Sequence, residues 1–485
     1  MTGTPGLPQP PAQPRLPRAV VTSGAAIGVI YGYDVGASAG ALLFLPKAMH
    51  LSTGATSFIN TALSIGLLIG ALVGGTLIDA LGRRRAMVLV AGGFALFAVT
   101  SALSPDLAVL DASRLLLGTA IGISTVAAPV YMAECAPQAR HGTAVAVYQL
   151  ANTIGIMIAY LVGYLLAPTG SWRLMLGVSA VPALLVMLVL VKAHDTPRWY
   201  LMKGLRDQAA ATLRTLDPDV DPAAELDRLQ AAVERDGRER GQGSLRTIMR
   251  PPYLRAFVFV VGLGLFTKLT GISAMVYYKP LILQSMGFTG SVPLLLIPAA
   301  IQIPAALSTW FAVVRVDRIG RKPVLLAGIA AMVVADALIA YTYHRGMHDT
   351  ALKAVAIIGF TLFQMGFGLG FGALIWVYAA ESFPGRLRAT GASITLTADL
   401  TISLVLAQYF LPVLNAVGGT ATFLGFLLIS VLAWLFVARL APETKGRSLE
   451  AIKDYWENNG RWPDTSAPGA RVGAVPAAPA ATRGE

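Results

Sequence analysis

Apolar residues fall into twelve stretches of membrane-spanning length, at about 20–45, 57–80, 86–104, 108–133, 143–167, 173–192, 254–284, 292–315, 323–343, 353–380, 388–413 and 419–440. Short polar turns separate most of them. Lipid cannot hydrogen-bond an exposed backbone, so each stretch is expected to be a helix. One long polar insertion, 193–253, divides the pattern. Ala223 to Arg235 within it has helical periodicity, which predicts short helices there. The expected organisation is a disordered N-terminus (1–18), a six-helix half (19–192), a helical linker (193–253), a second six-helix half (254–441) and a tail (442–485), disordered beyond about 463 where Ala and Pro dominate.

Two polar turns repeat half a chain apart. The first reads Gly75-Thr76-Leu77-Ile78-Asp79-Ala80-Leu81-Gly82-Arg83-Arg84, the second Val316-Asp317-Arg318-Ile319-Gly320-Arg321-Lys322. Glu134 ahead of Arg140 is matched by Glu381 ahead of Arg388, and Pro197-Arg198-Trp199 more loosely by Pro442-Glu443-Thr444-Lys445-Gly446. Similarity at a fixed offset means two like halves. In a membrane chain, parallel halves imply a transporter with its solute site between them. Helix 1 carries Gly24, Gly28, Gly32, Gly36 and Gly40, a smooth strip on which another helix can pack closely.

Composition agrees with the pattern. The chain is 55% hydrophobic and 13% charged, which excludes an ordinary soluble domain. Its net charge of +12 would suit nucleic acid, but the basic residues follow membrane topology instead. With the N-terminus inside, Lys47, Arg173, Arg345 and Lys353 fall outside, Arg114, Lys268 and Lys279 fall in spans, and every other Lys and Arg is cytoplasmic. Arg15 and Arg18 precede a first run too long for a signal peptide, so an uncleaved first helix is expected. The single Cys135 excludes an intramolecular disulfide. Arg in excess of Lys, with high Ala and Gly, suggests a GC-rich bacterial genome, so the expected location is a bacterial inner membrane with both termini cytoplasmic.

Gly32-Tyr33-Asp34-Val35-Gly36 resembles the helix 1 signature of the sugar porter branch of the major facilitator superfamily. Arg114, Gly118 and Gly122, followed by Pro129-Val130-Tyr131-Met132-Ala133-Glu134-Cys135-Ala136-Pro137, resemble its helix 4 signature. Trp172-Arg173, Pro197-Arg198-Trp199, Asp317 to Lys322, Trp376 with Glu381, and Pro442 to Gly446 occupy the expected places, so the resemblance spans roughly 20–455. It implies an all-α membrane protein of twelve transmembrane helices in two pseudo-symmetric halves, working by alternating access.

The resemblance also implies roles. Asp34 and Arg114 match the pair found in proton symporters of the family. A mid-span charge costs about 2.5–3.5 kcal/mol, so such residues pair or line water. A nearby Arg favours the charged carboxylate, and losing it favours proton uptake. A static buried pair is the structural alternative, and Asp111, one turn before Arg114, is a competing partner. Asp79, Arg83, Arg84, Glu134, Asp317, Arg321, Glu381 and Arg388 match gating charges that pair between halves when the cytoplasmic side is closed. His141-Gly142 stands where the family has Arg-Gly, with Arg140 one place early.

The solute site departs from the family. Gln149 and Trp376 keep a sugar-contacting amide and an aromatic wall, and Tyr277 and Gly372 also fall on expected site positions. Helix 7 reads Thr267-Lys268-Leu269-Thr270-Gly271-Ile272-Ser273 where two Gln and an Asn are usual. Ala305, Asp399 and Leu400 replace an Asn, an amide and a Trp. A cation and an anion, Lys268 and Asp399, are thus expected in the central cavity. They either neutralise each other or bind a charged solute, and Asp399 is a second candidate for protonation. Asp336 in helix 9 is expected to hydrogen-bond a neighbour, and Lys279 to snorkel towards the interface. His344, His348 and Asp349 are poor metal ligands on a flexible loop.

The expected function is proton-coupled uptake of a small polar, sugar-like or polyol-like solute, with Asp34 as proton carrier. The alternatives are a proton antiporter exporting a drug-like, charged or zwitterionic compound, and a non-transporting nutrient sensor. No phosphate loop, nucleophile elbow or metal motif supports an enzyme, and no cofactor or metal is expected. The expected partners are a small-molecule solute, protons and the lipid bilayer, without nucleic acid, and the monomer is expected to function alone.

Overall fold

The structure is a computed structural model that describes residues 18–135, 141–216, 221–239, 249, 253–346, 349–383, 385–447, 449–458 and 460–462. The expected disorder of residues before 18 and beyond 463 lies outside them. Ten helical segments among the described residues are long and apolar enough to cross a membrane, and one of these, Thr390–Leu440, is of double length. Gly418 (φ 79°) breaks that segment in two. Together with the first helix this gives twelve spans, and no described residue is in a strand.

The spanning helices are numbered α1–α12. They are α1 (Arg18–Ala41), α2 (Thr53–Leu81), α3 (Arg83–Ala102), α4 (Leu107–Cys135), α5 (His141–Leu166), α6 (Trp172–Val191), α7 (Leu254–Tyr277), α8 (Val292–Ile319), α9 (Arg321–Arg345), α10 (Thr350–Ala379), α11 (385–417) and α12 (419–440). Local chemistry sets several ends. Ser52 caps α2 by accepting from the Ala55 amide at 3.2 Å. Gly82 (φ 97°) and Gly320 (φ 121°) make the tight α2–α3 and α8–α9 turns. The linker forms helices at Pro197–Met202, Arg206–Leu216 and Pro222–Glu239. A final helix, Leu449–Glu457, lays Trp456 against Phe259 of α7, with ring centroids 5.5 Å apart.

The halves repeat the same packing. In the first, glycines seat α1 on α5 and α2 on α4: a β-carbon at Gly28 would stand 2.6 Å from the Tyr148 carbonyl, and one at Gly118 would run into that of Leu63. The α1 strip divides, because Gly28, Gly32 and Gly36 face α5 whereas Gly24 meets Met132 of α4. In the second half, Gly264 seats α7 on Thr395 of α11, and Gly368 seats α10 on α8.

The symmetry is incomplete. α1 and α4 run unbroken, whereas their counterparts α7 and α10 are interrupted. α7 breaks at Gly271 (φ 97°) and again at Tyr278, then continues as Lys279–Ser285. α10 breaks at Gly370, between Thr350–Leu369 and Phe371–Glu381. Broken helices expose backbone ends at mid-membrane, which is tolerated where they line a cavity.

The halves meet through α1 on α7, α2 on α11 and α5 on α8. Two hydrogen bonds join α2 to α11: Thr61 Oγ1 to Gln408 Oε1 at 2.8 Å, and Asn415 Nδ2 to Thr53 Oγ1 at 3.4 Å. Both lie towards the end of the bundle that carries the α1–α2 and α11–α12 connections, here termed the loop end. The opposite end carries Asp79, Glu134, Asp317 and Glu381 and is termed the charged end.

Candidate functional site

A cavity of about 180 Å³ lies between the halves. The interrupted helices build much of its wall. α7 supplies Thr267, Lys268, Ser273 and Tyr277 from both sides of its break, and α10 supplies Gly372 and Trp376 below Gly370. α5 contributes Gln149 and α11 contributes Asp399. All eight residues singled out by sequence for solute contact therefore line one space. Trp376 is 40% exposed, so its ring face is open to an occupant.

Lys268 and Asp399 meet there, Nζ to Oδ2 at 3.5 Å. Lys268 lies in the last turn of the first α7 segment, where the unpaired carbonyls of a helix end favour a cation. Its side chain is 23% exposed, against 9% for Asp399. The adjacent Ser273 and Ser403 hydroxyls pair at 2.9 Å. Two polar contacts thus clasp α7 to α11 beside the cavity, and this clasp replaces neutral amides with a charged pair.

Asp34 and Arg114 lie outside the cavity lining. Arg114 grips the carboxylate with both terminal nitrogens, Nη1 to Oδ1 at 2.8 Å and Nη2 to Oδ2 at 3.3 Å, and Nη2 also donates to Ser38 Oγ. Both side chains are 1% exposed. A bidentate Arg–carboxylate pair is the geometry in which buried opposite charges hold best. Tyr31 and Tyr277 line the cavity and are in electrostatic reach of Asp34. Asp111 does not take Arg114 from Asp34, and its Oδ1 has no protein partner.

At the charged end, these pairs form among the described residues. Arg83 binds Glu134 through Nε at 2.9 Å and Nη2 at 2.8 Å, and Asp79 at 3.1 Å. Thr196 Oγ1 adds a 2.6 Å bond to Glu134, and Arg198 approaches it to 3.7 Å. In the second half, Arg321 reaches Asp317 at 2.9 Å and Glu381 at 3.5 Å. Arg84 donates to the Val191 carbonyl. The side chains of Arg388, Arg140 and His141 lie outside the described residues.

Sequence reasoning missed how the tight turns are secured. Asp195 Oδ1 accepts from the Arg83 amide at 2.8 Å, and Glu443 accepts from the Arg321 and Lys322 amides at 3.0 and 3.1 Å. An acid from beyond each half thus caps α3 and α9, where free N–H groups favour an anion. The loose repeat of Pro197 with Pro442 marks these caps. The cavity also receives Asn152, Gln364 and Ser403. Asn152 is three residues after Gln149 and Ser403 four after Asp399, which helical spacing makes legible in retrospect.

Lys279 requires a correction. It does not snorkel, because it is 1% exposed and its Nζ donates to Gln364 Oε1 at 3.3 Å. The break at Tyr278 turns it inward against α10. Asp336 accepts from Ser430 at 2.8 Å. No metal-competent cluster occurs among the described residues, and His348 lies outside them.

The family described as "Sugar (and other) transporter" matches residues 20–456. The galactose-proton symporter of Escherichia coli (strain K12) is 31% identical over 427 residues, 88% of this chain and 91% of the relative. The glucose transporter GlcP of Staphylococcus epidermidis is 34% identical over 438 residues, 89% of this chain and 95% of the relative. The inward open structure of the xylose transporter XylE from E. coli superposes with a TM-score of 0.77 at 23% identity, over 90% of this chain and 99% of that one. A family match across both halves, with relatives above 30% identity over nearly their whole length, makes this multi-pass membrane protein a member of the sugar transporter family, and so a transporter and not an enzyme.

Proposed function

We propose that the chain is a proton-coupled importer of a small, sugar-like or polyol-like solute, with Asp34 as the proton carrier. The observation that carries this reading is the sealed Asp34–Arg114 pair beside, but not in, the cavity. A carboxylate held by a guanidinium keeps α1 and α4 together. Protonation removes that charge, frees Arg114, and biases the halves towards another arrangement. The carrier is thus separate from the solute site, as coupling between two ligands requires. The relatives support the substrate class, since curated members are a galactose-proton symporter and a glucose transporter. Gln149 and Trp376 are proposed to hold the solute's hydroxyls and ring face. Thr267, Ser273, Tyr277, Gly372, Lys268 and Asp399 are proposed to set specificity.

The cavity volume of about 180 Å³ is below the ~300–1,000 Å³ usual for drug-sized ligands, which favours a small solute over the exporter alternative. The charged-end residues are proposed as the gate, broken and remade as the halves rock. The basic bias of the short loops supports cytoplasmic termini.

Asp34→Asn in proteoliposomes tests the proposal. It should abolish accumulation driven by a pH gradient and spare counterflow at equal concentrations. Accumulation equal to that of the parent would overturn the assignment.

A further inference from the structure

We propose that Lys279 is a specificity-determining positioning residue. From behind the cavity wall it holds the Gln364 amide with its oxygen turned away and its NH2 presented to the solute, which must then offer an acceptor at that point. The bond between the two side chains stands on its own geometry, whereas its effect on selectivity rests on the sugar-like solute proposed above.

Lys279 opens the third segment of α7, just past the break at Tyr278. It is buried and does not line the cavity. An amine at membrane depth is costly, so it normally pairs with an acid or faces water. Lys279 does neither. Its one polar partner among the described residues is Gln364 Oε1, at 3.3 Å. Gln364 belongs to the first segment of α10, within two turns of the break at Gly370, and it does line the cavity. The amine thus stands behind the wall, and the amide forms part of it.

Chemistry fixes which way round the amide sits. An ammonium has donors and no acceptor, so it meets only the oxygen end of an amide. Turned about, the amide would set N–H groups against N–H groups, with both left unsatisfied. Gln364 Nε2 is therefore directed away from Lys279. It bonds to no described residue, and it is not among the sealed, unpartnered atoms. Its open side is the cavity.

A tie between α7 and α10 alone gives no reason for an amine, because an apolar pair of similar volume often serves a buried contact as well. Selectivity does give one. A free Gln side chain can present either end of its amide to an occupant, so it discriminates poorly between donors and acceptors. With Lys279 behind it, only the donor end remains. A site built to donate a hydrogen bond rejects an analogue lacking the acceptor, because the buried N–H is then left unpaired.

Two measurements test this. Melting curves in detergent of Lys279→Met, Gln364→Leu and the double variant read the bond without any solute. Each single variant strands the other partner, so the losses should not add, and the double variant should melt no lower than Lys279→Met. Additive losses would overturn the proposal. The second measurement is inhibition of radiolabelled galactose uptake by monodeoxy and monofluoro galactoses. Fluorine keeps an acceptor and removes the donor, whereas a deoxy position has neither. In the parent, one ring position should favour the fluoro over the deoxy analogue by about tenfold. Lys279→Met frees the amide to turn and should reduce that preference to about twofold or less. Gln364→Glu keeps an acceptor for Lys279 and removes the donor facing the solute, so it should melt no lower than the parent and lose the fluoro preference. A preference that survives Gln364→Glu, or is absent from the parent, would leave Lys279 as a tie between helices and overturn the positioning role. No galactose uptake by the parent would strike the sugar-solute reading instead, and the melting cycle would still decide whether Lys279 holds Gln364.

Discussion

Among the described residues, two ion pairs sit inside the membrane region, and they are built in opposite ways. Asp34–Arg114 joins two unbroken helices, α1 and α4, with both side chains 1% exposed and a bidentate contact. Lys268–Asp399 joins the interrupted α7 to α11 by a single 3.5 Å contact on the wall of a cavity. The first pair has no solvent to fall back on, so breaking it requires neutralising a charge. The second has the cavity, so an occupant or water can replace either partner. The first arrangement suits a switch thrown by a proton, the second a site that adapts to what enters. The charged end repeats the contrast: Glu134 is held by Arg83 twice and by Thr196, whereas Arg321 reaches Glu381 only at 3.5 Å.

The contrast is broken most severely by removing one partner of the sealed pair. Arg114→Leu leaves Asp34 buried beside Ser38 with no cation, and breaking a buried pair in this way costs about 3–5 kcal/mol. The variant should lose thermal stability strongly in detergent. Asp34→Asn added to Arg114→Leu should recover most of that loss, because no buried charge remains. Melting curves of the single and double variants check this. A single variant as stable as the parent would mean that water reaches Asp34 and that the pair is not sealed.

The twelve spans and the two halves were legible because lipid imposes a simple rule on composition and length. The cavity residues were legible because they stand where the family resemblance places its solute site, so departures such as Lys268 and Asp399 stood out. Rotation and interruption of helices were harder to read. Lys279 lies near the end of an apolar run, where snorkelling is the default, and only the break at Tyr278 turns it inward to Gln364. The charged-end pairs depend on which end of the bundle is closed, a property of the conformation that motifs do not record.

A smaller effect sharpens the other side of the comparison. Lys268→Gln should cost less than Arg114→Leu, since the pair is one loose contact on a cavity wall and the Gln amide can still donate to the buried Asp399. Transport should respond more than stability. The double variant Lys268→Gln, Asp399→Asn restores neutral amides to the α7–α11 wall and should raise the affinity for neutral hexoses relative to charged sugars. Competition of radiolabelled solute by glucose, glucuronate and glucosamine reads this directly. Identical competition profiles in the parent and the double variant would show that the pair is only a clasp between helices.

The smallest effect comes from the charged end, where the two matching acids should respond to charge removal with opposite signs. Glu381 lies beyond the spanning segment Thr350–Ala379, and burial pushes its carboxyl up from the ordinary value near 4.5, only partly offset by hydrogen bonding and Arg321. A raised carboxyl favours the folded arrangement while protonated. That contribution is complete below pH ~4.5 and is lost as pH rises through the folded value. Glu381→Gln fixes the uncharged form, so it should match the parent near pH 4.5 and melt slightly above it at pH 7.5, by no more than about 2 °C. Glu134→Gln should do the reverse at neutral pH, because Arg83 and Thr196 lose a charged acceptor and Arg83, only 4% exposed, keeps its charge. If both variants lowered the melting temperature equally at pH 7.5, the looser satisfaction of the second half would not be a property of the protein, and the contrast between its halves would rest on the two intramembrane pairs alone.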